Sequence, residues 1–216
     1  MATLLKSIVL FSFCFGAFGS GRFLIKKGKV TVDKVAVKKG SRFADGQELS
    51  VGKNSLAVVR FKNGNTLKIN ENTTIRLEST GQNKKKKESV FRLIKGSSFF
   101  SKNKKNGEEM TVKASTAAMG VRGTTFFVSY GVKKPEDIYM CVKKGVVAVK
   151  GAGDQKEVLV KEGQGVVISK GKKTSNPKFL PWTKNLNWKL SSKDKDLVNK
   201  ASIEESYGDV LDKDYD

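Results

Sequence analysis

The chain has 216 residues, 38% of them hydrophobic, with 42 Lys and Arg against 21 Asp and Glu, a formal net charge of +21 at pH 7. That length holds one ordinary domain plus tails, or two small ones. It contains no histidine and two cysteines, which excludes Ser-His-Asp and Cys-His catalysis, histidine-ligated metals and Cys-rich zinc or iron–sulfur centres. The charge favours anionic partners without naming one.

Residues 1–19 read as an export signal. Met1 to Lys6 carries one positive charge, Ser7 to Phe18 is almost wholly apolar, and Ala17 and Gly19 give the A-x-G spacing of a cleavage site. The apolar run is shorter than the roughly 20 residues a membrane-spanning helix needs. Cleavage near Gly19–Ser20 would leave a soluble chain, periplasmic or secreted, with no transmembrane span. Phe13 before Cys14, where a lipoprotein signal wants a small residue, argues against lipidation. Cys141 is then the remaining thiol, and its setting in "IYMCVKKG" marks a small buried core residue.

Residues 20–173 carry a rhythm of short strands rich in Val, Ile, Phe and Thr. "KVTVDKVAVKKG", "SLAVVRFKNGNTLKIN", "TTIRLES", "VFRLIKGSSFF", "MTVKAS", "TTFFVSYG", "IYMCVKKGVVAVKG", "EVLVKEG" and "QGVVISKG" follow one another. Turn signals punctuate them at Lys39-Gly40, Asn63-Gly64-Asn65, Lys95-Gly96, Lys144-Gly145 and Glu162-Gly163. Strands at about 8–12-residue spacing without helices between them predict an all-β fold, an antiparallel β-sandwich or β-roll of short hairpins. Two Lys-rich loops interrupt the rhythm: Gly81 to Glu88, with Lys84, Lys85, Lys86 and Lys87, and Ser101 to Glu109, with Lys102, Lys104 and Lys105. They are hairpin tips, or a patch for an anionic polymer. The Lys84–Lys87 loop has no Arg or aromatic residue for bidentate or stacking contacts, which argues against sequence-specific nucleic-acid recognition.

Residues 174–190 form an extended strap with two of the three prolines and both tryptophans, Trp182 and Trp188. Phe179, Leu180 and Trp182 are expected to pack back on the β-domain. The competing reading makes the tryptophans anchors for a partner. Residues 191–216 form a polar, weakly helical or disordered tail. Over residues 201–216 six carboxylates oppose Lys213, −6 + 1 = −5, enough to fold back onto the Lys loops.

No cofactor is expected and no enzyme is indicated. The candidate carboxylates Glu48, Glu71, Glu78, Glu108, Glu109, Asp137 and Glu157 sit mostly at turns or strand ends. Gly151-Ala152-Gly153-Asp154 reads as a hairpin turn, since no helix follows it to hold a phosphate.

One ordered series of motifs remains. Gly46-Gln47-Glu48-Leu49 is followed by Asn63-Gly64-Asn65-Thr66-Leu67 and by Leu93-Ile94-Lys95-Gly96-Ser97-Ser98-Phe99. Then come Gly120-Val121-Arg122-Gly123-Thr124-Thr125-Phe126-Phe127-Val128, Val142-Lys143-Lys144-Gly145-Val146-Val147-Ala148-Val149, and Gly163-Gln164-Gly165. This series, over roughly residues 35–170, resembles the FecR family, the periplasmic ferric-citrate-regulator domain. The resemblance implies that Gly120 and Gly123 supply tight or positive-φ bends. Val121, Phe126 and Val128 would face the core, and Arg122 would bond carbonyls across the turn or touch a ligand or partner. Thr124 completes the motif. The family's regulators join a cytoplasmic sigma-restraining domain and a membrane helix to this domain. Here only the export signal precedes the β-domain, so direct anti-sigma activity is not expected. What the resemblance leaves is an envelope module that binds a protein partner, or an anionic cell-wall or surface polymer held by Lys loops.

Overall fold

The computed structural model describes residues 21–83, 86–104, 109–132, 134–180, 183–184 and 186–190. Among these residues there are sixteen strands and no α-helix. The first half of the chain forms β1 (Gly21–Lys27), β2 (Val30–Val32), β3 (Val35–Ala36), β4 (Arg42–Phe43), β5 (Glu48–Val51), β6 (Leu56–Phe61), β7 (Thr66–Ile69) and β8 (Thr73–Asn83). The second half forms β9 (Lys86–Ser101), β10 (Glu109–Ala114), β11 (Ala117–Tyr130), β12 (Ile138–Lys150), β13 (Val158–Lys161), β14 (Gln164–Ser169), β15 (Lys173–Thr174) and β16 (Lys178–Phe179).

All pairings are antiparallel except β9 with β10, so the sheet is mixed. It folds over into two layers because β9, β11 and β12 each belong to both. The early half of β9 pairs with β8 and β10, and its late half with β7 and β11. Likewise, β12 pairs with β14 through Ile138–Cys141 and with β13 through Val146–Val149. One layer therefore runs β3-β2-β5-β8-β9-β10-β11-β12-β13, and the other β4-β1-β6-β7-β9-β11-β12-β14-β15. The fold in β9 also explains the parallel pair. It brings Ser101 opposite Thr125 on β11, the same strand whose Val121 lies opposite Met110 of β10. No longer crossover is needed.

The change of layer falls at a glycine in each long strand: Gly96 at φ +90°, Gly123 at +58° and Gly145 at +92°. These values favour glycine, since a side chain there meets its own backbone. Lys95-Gly96 and Lys144-Gly145 are thus bends inside continuous strands, where the sequence suggested turns between hairpins. Asn63-Gly64 is a true hairpin tip between β6 and β7, with Gly64 at φ +85° and Arg60 opposite Thr66.

Alternation then sorts the side chains. Leu77, Phe91, Val112, Met119 and Val147 of one layer join Phe23, Val59, Leu67, Phe100, Phe126, Met140 and Val166 of the other in one buried cluster. Phe61, Phe91, Phe100 and Phe126 run through it as ring contacts of 5.3, 5.9 and 5.1 Å, a range in which aromatic pairs add to simple burial. On the open face of the first layer, β8, β9 and β10 carry an ionic cluster. Glu78 lies between Lys113, at 3.1 Å, and Arg92. The Arg92 hydrogen bond, aided by Lys113, holds the Glu78 carboxyl below the ordinary carboxylate range.

Candidate functional site

Two regions concern function, and both grow from the long strands: the Gly120–Thr124 bend and the outer face of the second layer.

At the bend, Val121, Phe126 and Val128 are buried in the central cluster, as the motif implied. The two glycines differ. Gly123 needs its positive φ, and a Cβ there would lie 2.5 Å from Cγ of Lys104. Gly120 has ordinary strand geometry, and a Cβ would find Ala148 O at 3.9 Å as its nearest neighbour. The expected bend at Gly120 is therefore absent. Cross-turn bonding belongs to Thr124, not to Arg122. The Thr124 hydroxyl, 1% exposed, lies 2.9 Å from the carbonyl oxygens of both Arg122 and Val146 and shares its proton between them. Lys102 N–H donates to Thr124 O at 2.9 Å and ties the following loop to the bend. The Arg122 side chain is exposed and makes no hydrogen bond or ion pair with a described residue. Its register is the reason: it alternates with Val121 and so faces out of the sheet, opposite Val146.

The outer face of the second layer is apolar and covered. Phe99, Phe127, Tyr139, Cys141 and Val167 alternate with the central core residues and form a second cluster with Leu180 and Leu186. The strap lies over them. Trp188 packs its ring at 5.2 Å and 81° on Phe99, and its Nε1–H donates to Thr183 O at 2.8 Å. Thr183 closes the turn by donating from both N and Oγ1 to Leu180 O. Lys68 on β7 points to the same face and is fully buried there. Its ammonium donates to Asn187 O and stands 4.1 Å from the Phe99 ring centroid. Burial pushes the Cys141 thiol well above its ordinary range.

The remaining sequence candidates fall as follows. Trp182, Lys84 and Lys85 lie outside the described residues, as do residues 1–20 and 191–216. Lys86 and Lys87 lie on β9 opposite Asn83 and Gln82, so strand pairing extends into what the sequence suggested was a loop. Leu180 packs back as expected, but Phe179 does not: it is 76% exposed, its ring against Gly163 at the sheet edge. Strand β16 explains this, because the pairing of Phe179 with Gln164 sends alternate side chains outward. The Gly151–Asp154 turn forms as read. Burial would raise the Asp154 carboxyl, but bonds from Thr174, Gly151 N–H and Thr174 N–H overcome that and hold it below the ordinary range. Among the described residues no three of Cys, Asp and Glu gather as metal ligands, and no helix is long and apolar enough to cross a membrane.

Sequence reasoning missed Lys68, whose place in Leu67-Lys68-Ile69 signals a solvent face; only the strap makes it a buried one. It also missed the cations around the bend, because Lys143-Lys144-Gly145 looks like a solvated turn.

Two crystal structures of a protein assigned as an anti-sigma factor from Parabacteroides distasonis ATCC 8503, at 2.50 and 1.65 Å, share this architecture. Both match with a TM-score of 0.51, at 19% and 18% identity, over 61% of this chain and 59% of theirs. This chain thus spans under two thirds of their length, and at that identity the likeness is one of fold. No curated protein is significantly similar in sequence. The FecR protein family model matches residues 47–164, from the residue before β5 to the first residue of β14 and so through all three folded strands. With more than half of its length covered by that match, this chain belongs to the FecR family.

Proposed function

We propose that this chain is an exported, non-enzymatic FecR-like binding or adaptor module of the bacterial cell envelope that engages a protein partner in signalling or envelope assembly. The observation that carries the reading is the FecR match over residues 47–164, which takes in all three bent strands. The fold shared with structures assigned as an anti-sigma factor supports a regulatory role of this kind. Export rests on the pattern of residues 1–19 alone. The chemistry of the bend goes into architecture through Gly123 and Thr124, which leaves recognition to surfaces. Trp182 and Trp188 are the proposed anchors of the partner, Trp188 through the part of its ring that Phe99 leaves uncovered.

The net charge of +21 supports a second reading, in which Lys84, Lys85, Lys86 and Lys87 hold an anionic cell-wall or surface polymer. Binding assays on envelope fractions separate the two. Trp182→Ala should abolish protein binding in a folded chain, while replacement of Lys84–Lys87 by Ser should leave it intact. Loss of all binding on removal of the lysines, with steep salt dependence, would favour the polymer and overturn the adaptor reading.

A further inference from the structure

The bend gathers cations that have no partner among the described residues. Lys104 lays its stem on Gly123, and Arg122 stands outward one residue before it. Lys144 lies opposite Thr125, Val146 opposite Arg122, and Lys161 opposite Val146 on the neighbouring strand. Lys143 precedes Lys144. Lys104, Arg122, Lys143, Lys144 and Lys161 are all exposed, and none forms an ion pair or side-chain hydrogen bond with a described residue. Adjacent strands are about 4.8 Å apart, so Arg122 and Lys161 sit roughly 10 Å from each other across Val146. Glu88, Glu109 and Glu162 are the acids nearby, a local balance of +5 − 3 = +2. Like charges this close repel, and no feature of the fold requires them here.

Apolar surface is interleaved with these charges. Val146 is 40% exposed, Leu159 56% and Phe179 76%. Phe179 stands over Gly163, whose N–H donates to Val142 O, the residue before Lys143. The patch therefore suits a segment that alternates carboxylates with apolar residues.

We propose that this basic patch is a docking site for an acidic peptide and that its resident is the chain's own C-terminal segment, residues 201–216. That segment carries Glu204, Glu205, Asp209, Asp212, Asp214 and Asp216, with Tyr207, Val210, Leu211 and Tyr215 between them. Its charge of −5 opposes a balance of +26 over residues 1–200, since +21 − (−5) = +26. The described chain ends at Leu190, and the ten residues that follow reach up to about 35 Å, further than the radius of a domain this size. Tethering raises the effective concentration to the millimolar range, so weak contacts suffice. The proposal does not depend on the identity of any partner; an acidic partner segment would have to displace the tail.

The test is zero-length carbodiimide cross-linking of the whole chain at low salt, with peptides identified by mass spectrometry. Mixing ¹⁵N-labelled and unlabelled chains separates links within one molecule from links between two. Expected are links within one molecule from residues 204–216 to Lys104, Lys143, Lys144 and Lys161. They should fall roughly fivefold or more in 0.5 M NaCl, where screening is strong. They should disappear when the six carboxylates are replaced by their amides. Arg122→Ser, which removes a charge but no cross-linking amine, should lower the yield at the four neighbouring lysines. Links spread evenly over all exposed lysines, or links only between molecules, would overturn the proposal.

Discussion

Cys141 reports on whether the strap is a fixed part of the fold. It lies under Leu180 on the outer face of the second layer and is fully buried. Trp188→Ala would remove the half-buried ring from Phe99 and the Nε1–H bond to Thr183 O. Complete burial of a Trp is worth about 3–5 kcal/mol, so a half-buried one is worth about 2. The hydrogen bond adds up to about 1 kcal/mol. Opening of the strap should thus become easier by about 2–3 kcal/mol, which multiplies the open population roughly 30- to 150-fold. The assay is the rate of labelling of Cys141 by a thiol reagent under native conditions, in a chain starting at residue 20 so that Cys14 is absent. The sandwich beneath must keep its far-ultraviolet spectrum. An unchanged labelling rate would refute the reasoning, because the thiol would then be reached only by global unfolding.

Other outcomes follow from the same geometry. Thr124→Val keeps the shape but removes the shared proton, and should destabilise by about 1–3 kcal/mol in urea unfolding; Arg122→Ala should change stability by less than about 0.5 kcal/mol. Gly96→Ala forces a side chain into φ +90° and to 2.6 Å from Thr73 Cα, so it should lose at least about 2 kcal/mol. Gly120→Ala meets only an ordinary contact with Ala148 O at 3.9 Å and should be neutral or stabilising by up to about 1 kcal/mol. The depressed carboxyls of Glu78 and Asp154 contribute stability that is present above the unfolded carboxylate value of about 4 and is lost as pH falls through their folded values. Asp154→Asn should therefore be destabilising at pH 7, and its difference from the unaltered chain should shrink below pH 4.

The sequence made the class of fold readable because two strong signals agree. Asn63-Gly64 marks a tight hairpin, and the alternation of Phe126 and Val128 marks a buried face. It left the layers unreadable, since Lys95-Gly96 and Lys144-Gly145 carry the same residues whether a strand turns back or bends through. Only the partners on either side of Gly96 and Gly145 decide that, and those are distant in the chain. Lys68 misled for a related reason: its polarity speaks of the local strand, while its burial depends on Asn187. At the motif itself, glycine letters are ambiguous. Gly123 serves a backbone need and Gly120 does not, a difference that lies in φ and not in residue type.

The adaptor reading stands or falls on capture from native envelope extract with the chain from residue 20 to 216, cross-linked before washing and eluted in rising salt. The account predicts one stoichiometric protein that survives high salt. Recovery of polymers alone, all released at moderate salt, would contradict it and make the charge the basis of function.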